Sequence, residues 1–204
     1  DISMNNGGTG DQYLQMGRSI ELNGVGDRIV IGGTIDDIIT DSPVYRVYVY
    51  QKQTDNSWDQ VLDITNPTSI GINFGLSVAM SNDGKVISIA TQEDLDSVEH
   101  GQVLVYDLSG TGLSSDLTSS LRGSPITFDG INDGDTFGAS MSLNDDGSVL
   151  AIGSGALDNF NGKAFIYKYL NSDWTILKTI PGTTNSNLGG IHDYDMESGQ
   201  LISD

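Results

Sequence analysis

The chain contains no cysteine and four prolines in 204 residues. Without cysteine there is no disulfide framework, thiol nucleophile or thiolate metal site. Basic residues are also scarce: nine Lys and Arg stand against 28 Asp and Glu, for a net charge of −19. Such a surface repels nucleic-acid backbones and anionic membranes. It favours cations and basic partners, and a saline setting would screen its self-repulsion. No apolar run approaches the ~20 residues of a membrane-spanning helix. No N-glycosylation sequon is present, since Asn66-Pro67-Thr68 is blocked by its proline. The chain begins at Asp1-Ile2-Ser3 with neither an initiator Met nor a signal peptide. It therefore reads as a processed or excised segment of something longer.

Hydrophobic residues make up 37% of the sequence and glycines number 26. The apolar residues cluster in short runs, which excludes a disordered tract. One segment recurs three times without gaps. It runs from Gly17 through Ser19, Asn23 and Gly26 to Ile31-Gly32, from Gly75 through Ser77, Ser81 and Gly84 to Ile89-Ala90, and from Gly138 through Ser140, Asn144 and Gly147 to Ile152-Gly153. A fourth, degraded copy starts near Leu188-Gly189. The repeats span about 13–66, 71–123, 134–182 and, in part, 185–204.

Within each copy the first run alternates at period two, as a strand does. A glycine turn follows (Gly26, Gly84 or Gly147), read as a two-residue hairpin turn of the Asp-Gly kind. The second run, such as Val149-Leu150-Ala151-Ile152, is apolar on both faces and so buried on both. Ile29, Ile31, Ile87, Ile89, Leu150 and Ile152 are the expected core. Third strands are expected at Val47–Tyr50, Val103–Tyr106 and Ala164–Tyr167, and fourth strands from Trp58 and Trp174. In the second copy Leu113 marks that place, although Leu113, Leu117 and Leu121 also fit one turn of helix. Four short antiparallel strands recurring every 50–60 residues predict an all-β chain of β-propeller blades, about three and a half of them. This is a partial propeller or an open blade array. A plain β-sandwich is the alternative, but its strands would keep one wet face throughout.

At Phe74-Gly75-Leu76-Ser77 and Phe137-Gly138-Ala139-Ser140 the repeat resembles the FG-GAP family, whose repeats form the propeller of integrin α subunits. Tyr13 to Gly17 is a drifted copy with Met16 in place of the phenylalanine. The resemblance implies an extracellular or cell-surface adhesion module. The family's calcium loop is missing, because the turns at Gly24-Val25-Gly26, Asn82-Asp83-Gly84 and Asp145-Asp146-Gly147 offer too few oxygens for calcium. Rings of this kind usually have about seven blades, so further blades are expected from elsewhere in a longer chain or from other chains.

Catalytic chemistry is sparse. His100 and His192 each stand apart from a second histidine and read as solvated loop residues. Ser19, Ser77 and Ser140 recur in every copy, as a nucleophile does not, and read as hydroxyls that satisfy backbone groups where the strand begins. Gly7-Gly8-Thr9-Gly10 lacks the lysine and following helix of a phosphate loop. No enzyme activity is expected.

Acidic loops are the remaining lead. Asp36, Asp37 and Asp41, then Glu93, Asp94, Asp96 and Glu99, then Asp158 follow the second strands. Blade topology places these loops on one rim with the loop that holds Asp129, Asp133 and Asp135. The rim reads either as a solvated surface kept soluble by its charge or as a site for a basic protein, a glycan or a divalent cation. Asp129, Asn132, Asp133 and Asp135 form the densest oxygen set, and a calcium ion is expected there if anywhere. Three roles fit: an adhesion or ligand-binding propeller, a structural subunit of a surface filament completed by other chains, and an accessory domain of a larger carbohydrate-active enzyme.

Overall fold

The computed structural model describes residues 12–37, 42–66, 73–91, 101–110, 120–127, 136–155 and 161–183. Every named element is a β-strand. Blade 1 is β1 (Gln12–Leu22), β2 (Arg28–Asp37), β3 (Ser42–Lys52) and β4 (Trp58–Thr65), hydrogen-bonded in that order. Blade 2 is β5 (Val78–Met80), β6 (Val86–Ala90) and β7 (Val103–Asp107). Blade 3 is β8 (Ser140–Leu143), β9 (Val149–Ser154), β10 (Lys163–Leu170) and β11 (Asp173–Pro181). All pairings are antiparallel. The first strands β1, β5 and β8 lie beside one another, as the inner strands of successive propeller blades do. The chain is all-β and its sheets are propeller blades. The partial fourth repeat lies outside the described residues.

Three sequence expectations change in detail. The first strand of blade 1 begins at Gln12, before Gly17, and carries a bulge between Met16 and Ser19. Among the described residues, the fourth strand of blade 2 shows as two bridges, Tyr106 to Leu121 and Val103 to Ile126. Leu113 and Leu117 lie outside the described residues. The third change concerns the hairpin turns. They hold four residues, because the closing pairs are Asn23–Arg28, Ser81–Val86 and Asn144–Val149. A two-residue turn of the Asp-Gly kind needs two positive φ angles. Here only the glycine in each turn has one: +74° at Gly26, +71° at Gly84 and +65° at Gly147.

The Asn or Ser of the repeat pattern closes each turn. Asn23 Oδ1 accepts from the backbone N–H groups of Asp27 and Arg28 (both 3.0 Å), and Asn144 Oδ1 accepts from Val149 (2.8 Å). Ser81 Oγ accepts from Val86 N–H (3.0 Å) and donates to Asp83 Oδ1 (2.7 Å). Burial pushes the Asp83 carboxyl up, but hydrogen bonds from Ser81 and Lys85 outweigh it and hold it below the ordinary carboxylate range. A depressed carboxylate stabilises the fold above its unfolded pKa of about 3.9, and the contribution disappears as pH falls through the lower folded value. Asp83→Asn is therefore expected to melt below wild type at pH 7. Parallel scans should show that gap closing as pH falls through and below about 4. An equal gap at all pH values would remove the charge from the explanation.

Each blade has two unlike faces. The face toward the preceding blade is bulky: Ile29, Ile31, Tyr48 and Tyr50, then Ile87, Ile89, Leu104 and Tyr106, then Leu150, Ile152, Phe165 and Tyr167. The face toward the following blade is small: Val30, Gly32, Val47 and Val49, then Val86, Ser88, Ala90, Val103 and Val105. Bulky meets small in two cores. Val30, Val47, Val49, Leu62 and Ile64 pack on Ile87, Ile89, Leu104 and Tyr106 between blades 1 and 2. Val86, Ala90, Val103, Val105 and Ile126 pack on Leu150, Ile152, Phe165 and Tyr167 between blades 2 and 3. The six expected core residues are all buried, none more than 8% exposed.

Two hydroxyls inside these cores, Tyr106 Oη and Ser88 Oγ, have no hydrogen-bond partner among the described residues. Burial also pushes the Tyr106 phenol up. Removing an unpaired buried hydroxyl relieves a desolvation cost. Tyr106→Phe is therefore expected to be neutral or to stabilise by up to about 1 kcal/mol in urea titrations. A loss of that size would reveal a bonded hydroxyl instead.

Candidate functional site

The residues singled out for the acidic rim are placed as follows. Asp36 and Asp37 end β2, paired across the hairpin with Pro43 and Ser42. They lie at the end of blade 1 opposite the Gly26 turn, as the topology requires. Asp41, Glu93, Asp94, Asp96, Glu99 and Asp158 lie outside the described residues, as do Asp129, Asn132, Asp133 and Asp135. His100 and His192 lie outside them too. Among the described residues no three His, Asp or Glu side chains come together as a metal-binding group.

The same rim carries a cleft of about 340 Å³ lined by Met16, Gly17, Arg18 and Thr34. The bulge in β1 builds it by breaking the pairing register between Met16 and Ser19. Gly17, at φ +89°, takes the turn that this break demands. Arg18 is exposed, and its Nη1 donates to Asn73 Oδ1 at 2.7 Å, bridging from blade 1 to the segment that leads into blade 2. Composition drew attention to acids, and this cationic group went unremarked. Its signal was present in the sequence as an arginine next to the repeat glycine.

Of the recurring serines, Ser19 serves the backbone, and it does so across the blade boundary. Its Oγ donates to the carbonyl of Gly75 at 2.7 Å. Further polar ties follow the same boundaries. Gly24 N–H donates to Asn82 O (2.9 Å), Arg28 Nη1 to Gly84 O (2.8 Å) and Asp83 N–H to Asp145 O (3.2 Å). The hairpin turns of successive blades thus stack on one another. At the outer edge, Trp174 Nε1 donates to Arg122 O at 2.7 Å, and the Arg122 guanidinium lies 4.5 Å above the Tyr169 ring. These ties fix the blades as a rigid base for loops on the opposite rim.

With this geometry in hand, solved structures supply a match. The chain is similar to known β-propellers. It covers 84% of its length on the propeller domain of the Trilobed protease from Pyrococcus furiosus, a domain with an open velcro topology, at 16% identity and a TM-score of 0.50. It also aligns with the acylaminoacyl peptidase of Pyrococcus horikoshii (12% identity, 84% of this chain, 25% of that one, TM-score 0.44). A third match is Kuenenia stuttgartiensis hydrazine synthase (12% identity, 88% of this chain, 53% of that one, TM-score 0.45). The chain spans 43% of the Trilobed protease propeller chain. No protein-family model matches, and no curated protein does.

The first of these matches corrects the functional expectation. It is the propeller domain of a protease, so the reading as a non-catalytic extracellular adhesion module does not stand. The adhesion role came from the integrin resemblance alone, and blade geometry is shared by proteins of many functions. The alternative of an accessory domain of a larger enzyme fits that match better.

Proposed function

We propose that the chain is part of an accessory propeller of a larger enzyme that acts on polypeptides. The supporting observation is the likeness of 84% of the chain to the propeller domain of a protease. That likeness replaces carbohydrate by polypeptide in the accessory-domain reading. The propeller's part is to hold substrate, while the bond is broken elsewhere in the enzyme. A net charge of −19 draws basic segments toward the surface.

Fluorescence anisotropy with a labelled Lys- and Arg-rich peptide tests this reading. Binding is expected at low salt and should weaken as salt rises, because exposed charges are screened beyond roughly 10 Å at 0.1 M. A fluorogenic protein substrate should remain uncut by this chain alone. Binding of glycans with no binding of peptide would overturn the proposal, and so would cleavage by the isolated chain.

A further inference from the structure

The cleft on blade 1 holds a cation that the acids of this chain leave alone. Acids outnumber bases 28 to nine, so acidic partners abound in the sequence. Arg46 meets Asp63 at 2.7 Å and Lys85 meets Asp83 at 3.4 Å. Arg18 meets no carboxylate among the described residues. Its described hydrogen bond runs from Nη1 to the neutral Asn73 Oδ1. A guanidinium carries five N–H donors in a rigid fork, so most of them remain to be used. Nothing in the repeat calls for an arginine at this place, since the matching positions after Gly75 and Gly138 are Leu76 and Ala139.

The surroundings suit a small ligand. Gly17 and Arg18 stand outside the pairing of β1 with β2, which passes from Met16–Gly33 to Ser19–Gly32. A Cβ on Gly17 would meet nothing within 4 Å, so the space over the bulge is open. Met16 packs against the apolar cluster of Ile29, Ile31, Tyr48 and Tyr50 and gives the cleft an apolar wall. Thr34, 8% exposed, gives it a polar one. Ligand clefts run from about 300 to 1,000 Å³. At about 340 Å³ this one admits a chain end or a single side chain rather than a folded partner.

We propose that Arg18 makes this cleft a subsite for a peptide carboxylate, borne by a free C-terminus or by an Asp or Glu side chain. The two carboxylate oxygens accept from the unused donors of the fork, while Asn73 holds the guanidinium in place. The charge of −19 opposes an anion at long range, but salt at about 0.1 M screens it beyond roughly 10 Å and leaves the contact bonds. The inference rests on the reading of the propeller as a holder of polypeptide, and it names the group that is gripped.

Nuclear magnetic resonance titration of the isotope-labelled chain, at fixed ionic strength, tests it with three probes. These are acetyl-Ala-Ala as the free acid, the same peptide as its amide, and acetyl-Ala-Glu-Ala-amide. The Gly17 amide and Arg18 Nε–H signals should move with at least one of the two carboxylate peptides, at about tenfold or more the affinity of the plain amide. A response to the free acid alone assigns the C-terminus, one to the glutamate peptide alone assigns a side chain, and one to both assigns any peptide carboxylate. Arg18→Gln should weaken that binding by about tenfold or more, and Arg18→Lys, which keeps the charge without the fork, should retain part of it. Arg18 is exposed, so both variants should melt close to wild type. A strut between blades would not tell acid from amide. Equal affinity for acid, glutamate peptide and amide would overturn the proposal, and so would carboxylate binding that survives Arg18→Gln. The two readings fail separately: an amidated Lys- and Arg-rich peptide that binds wild type and Arg18→Gln alike supports the accessory propeller, while silence of both carboxylate peptides overturns the subsite alone.

Discussion

Replacing Phe137 by alanine is expected to cost about 3–5 kcal/mol of unfolding free energy. The ring is 2% exposed and meets Phe165 edge to face, with centroids 5.6 Å apart and planes at 67°. Both rings lie in the core between blades 2 and 3, with Leu150, Ile152 and Val103 around them. Truncation removes buried apolar area and leaves a cavity that two rigid sheets cannot collapse to fill. The aromatic pair adds its own term, so a double-mutant cycle with Phe165→Ala should return a coupling of about 0.5–1.5 kcal/mol. Stacked repeats owe much of their stability to neighbour interfaces. The variant should therefore also lose cooperativity, with blade 3 melting ahead of blades 1 and 2. Urea titration followed by Trp174 fluorescence reads both effects, because Trp174 packs against this core. A single transition displaced by less than about 1 kcal/mol would mean that the blades do not depend on this boundary.

Much of this was legible in the sequence. A strand buried between two sheets must be apolar on both faces, and Ile87-Ser88-Ile89-Ala90 already displays that. The glycines at 26, 84 and 147 mark turns because each turn needs one left-handed residue. Trp58 and Trp174 stand where β4 and β11 begin. What was not legible depends on neighbours in space. Ser19 looks like a local cap in sequence, yet its acceptor is Gly75, 56 residues away. The edge of blade 2 is held by Arg122 N–H on Val105 O and by the rungs to Leu121 and Ile126. No period-two pattern announces these rungs in the sequence. The number of residues in each hairpin turn was misread because Asp-Gly suggests the two-residue form. The side chains of Asn23, Ser81 and Asn144 instead close a wider loop. The candidate site was the least readable part. Its cleft comes from a register break in β1, and the functional correction came from kinship of fold rather than from any motif.

Alanine at the three turn glycines should separate backbone strain from packing between blades. All three have left-handed φ angles, +74° at Gly26, +71° at Gly84 and +65° at Gly147, so each substitution carries a conformational cost of roughly 1–2 kcal/mol. The surroundings differ. A Cβ on Gly26 meets nothing within 4 Å. One on Gly84 would lie 3.0 Å from the Asn23 side-chain amide, which can swing a little at the loss of its bond to Asp27. One on Gly147 would lie 2.4 Å from Val86 Cβ and 2.6 Å and 2.9 Å from its two methyl groups. Val86 is β-branched, 2% exposed and fixed in β6, so it cannot move aside by rotation. The overlap must be relieved by parting blade 3 from blade 2, and overpacking of that kind costs about 1–3 kcal/mol beyond the strain. The expected order of destabilisation is Gly26→Ala, then Gly84→Ala, then Gly147→Ala, the last losing about 2–5 kcal/mol in all. Gly147→Ala should cost less in a Val86→Ala background than in wild type, because the two methyl contacts are gone, although the 2.4 Å approach to the residue 86 Cβ remains. Equal losses at all three glycines would show that φ alone decides, and the stacking of turns from blade to blade would then contribute nothing to stability.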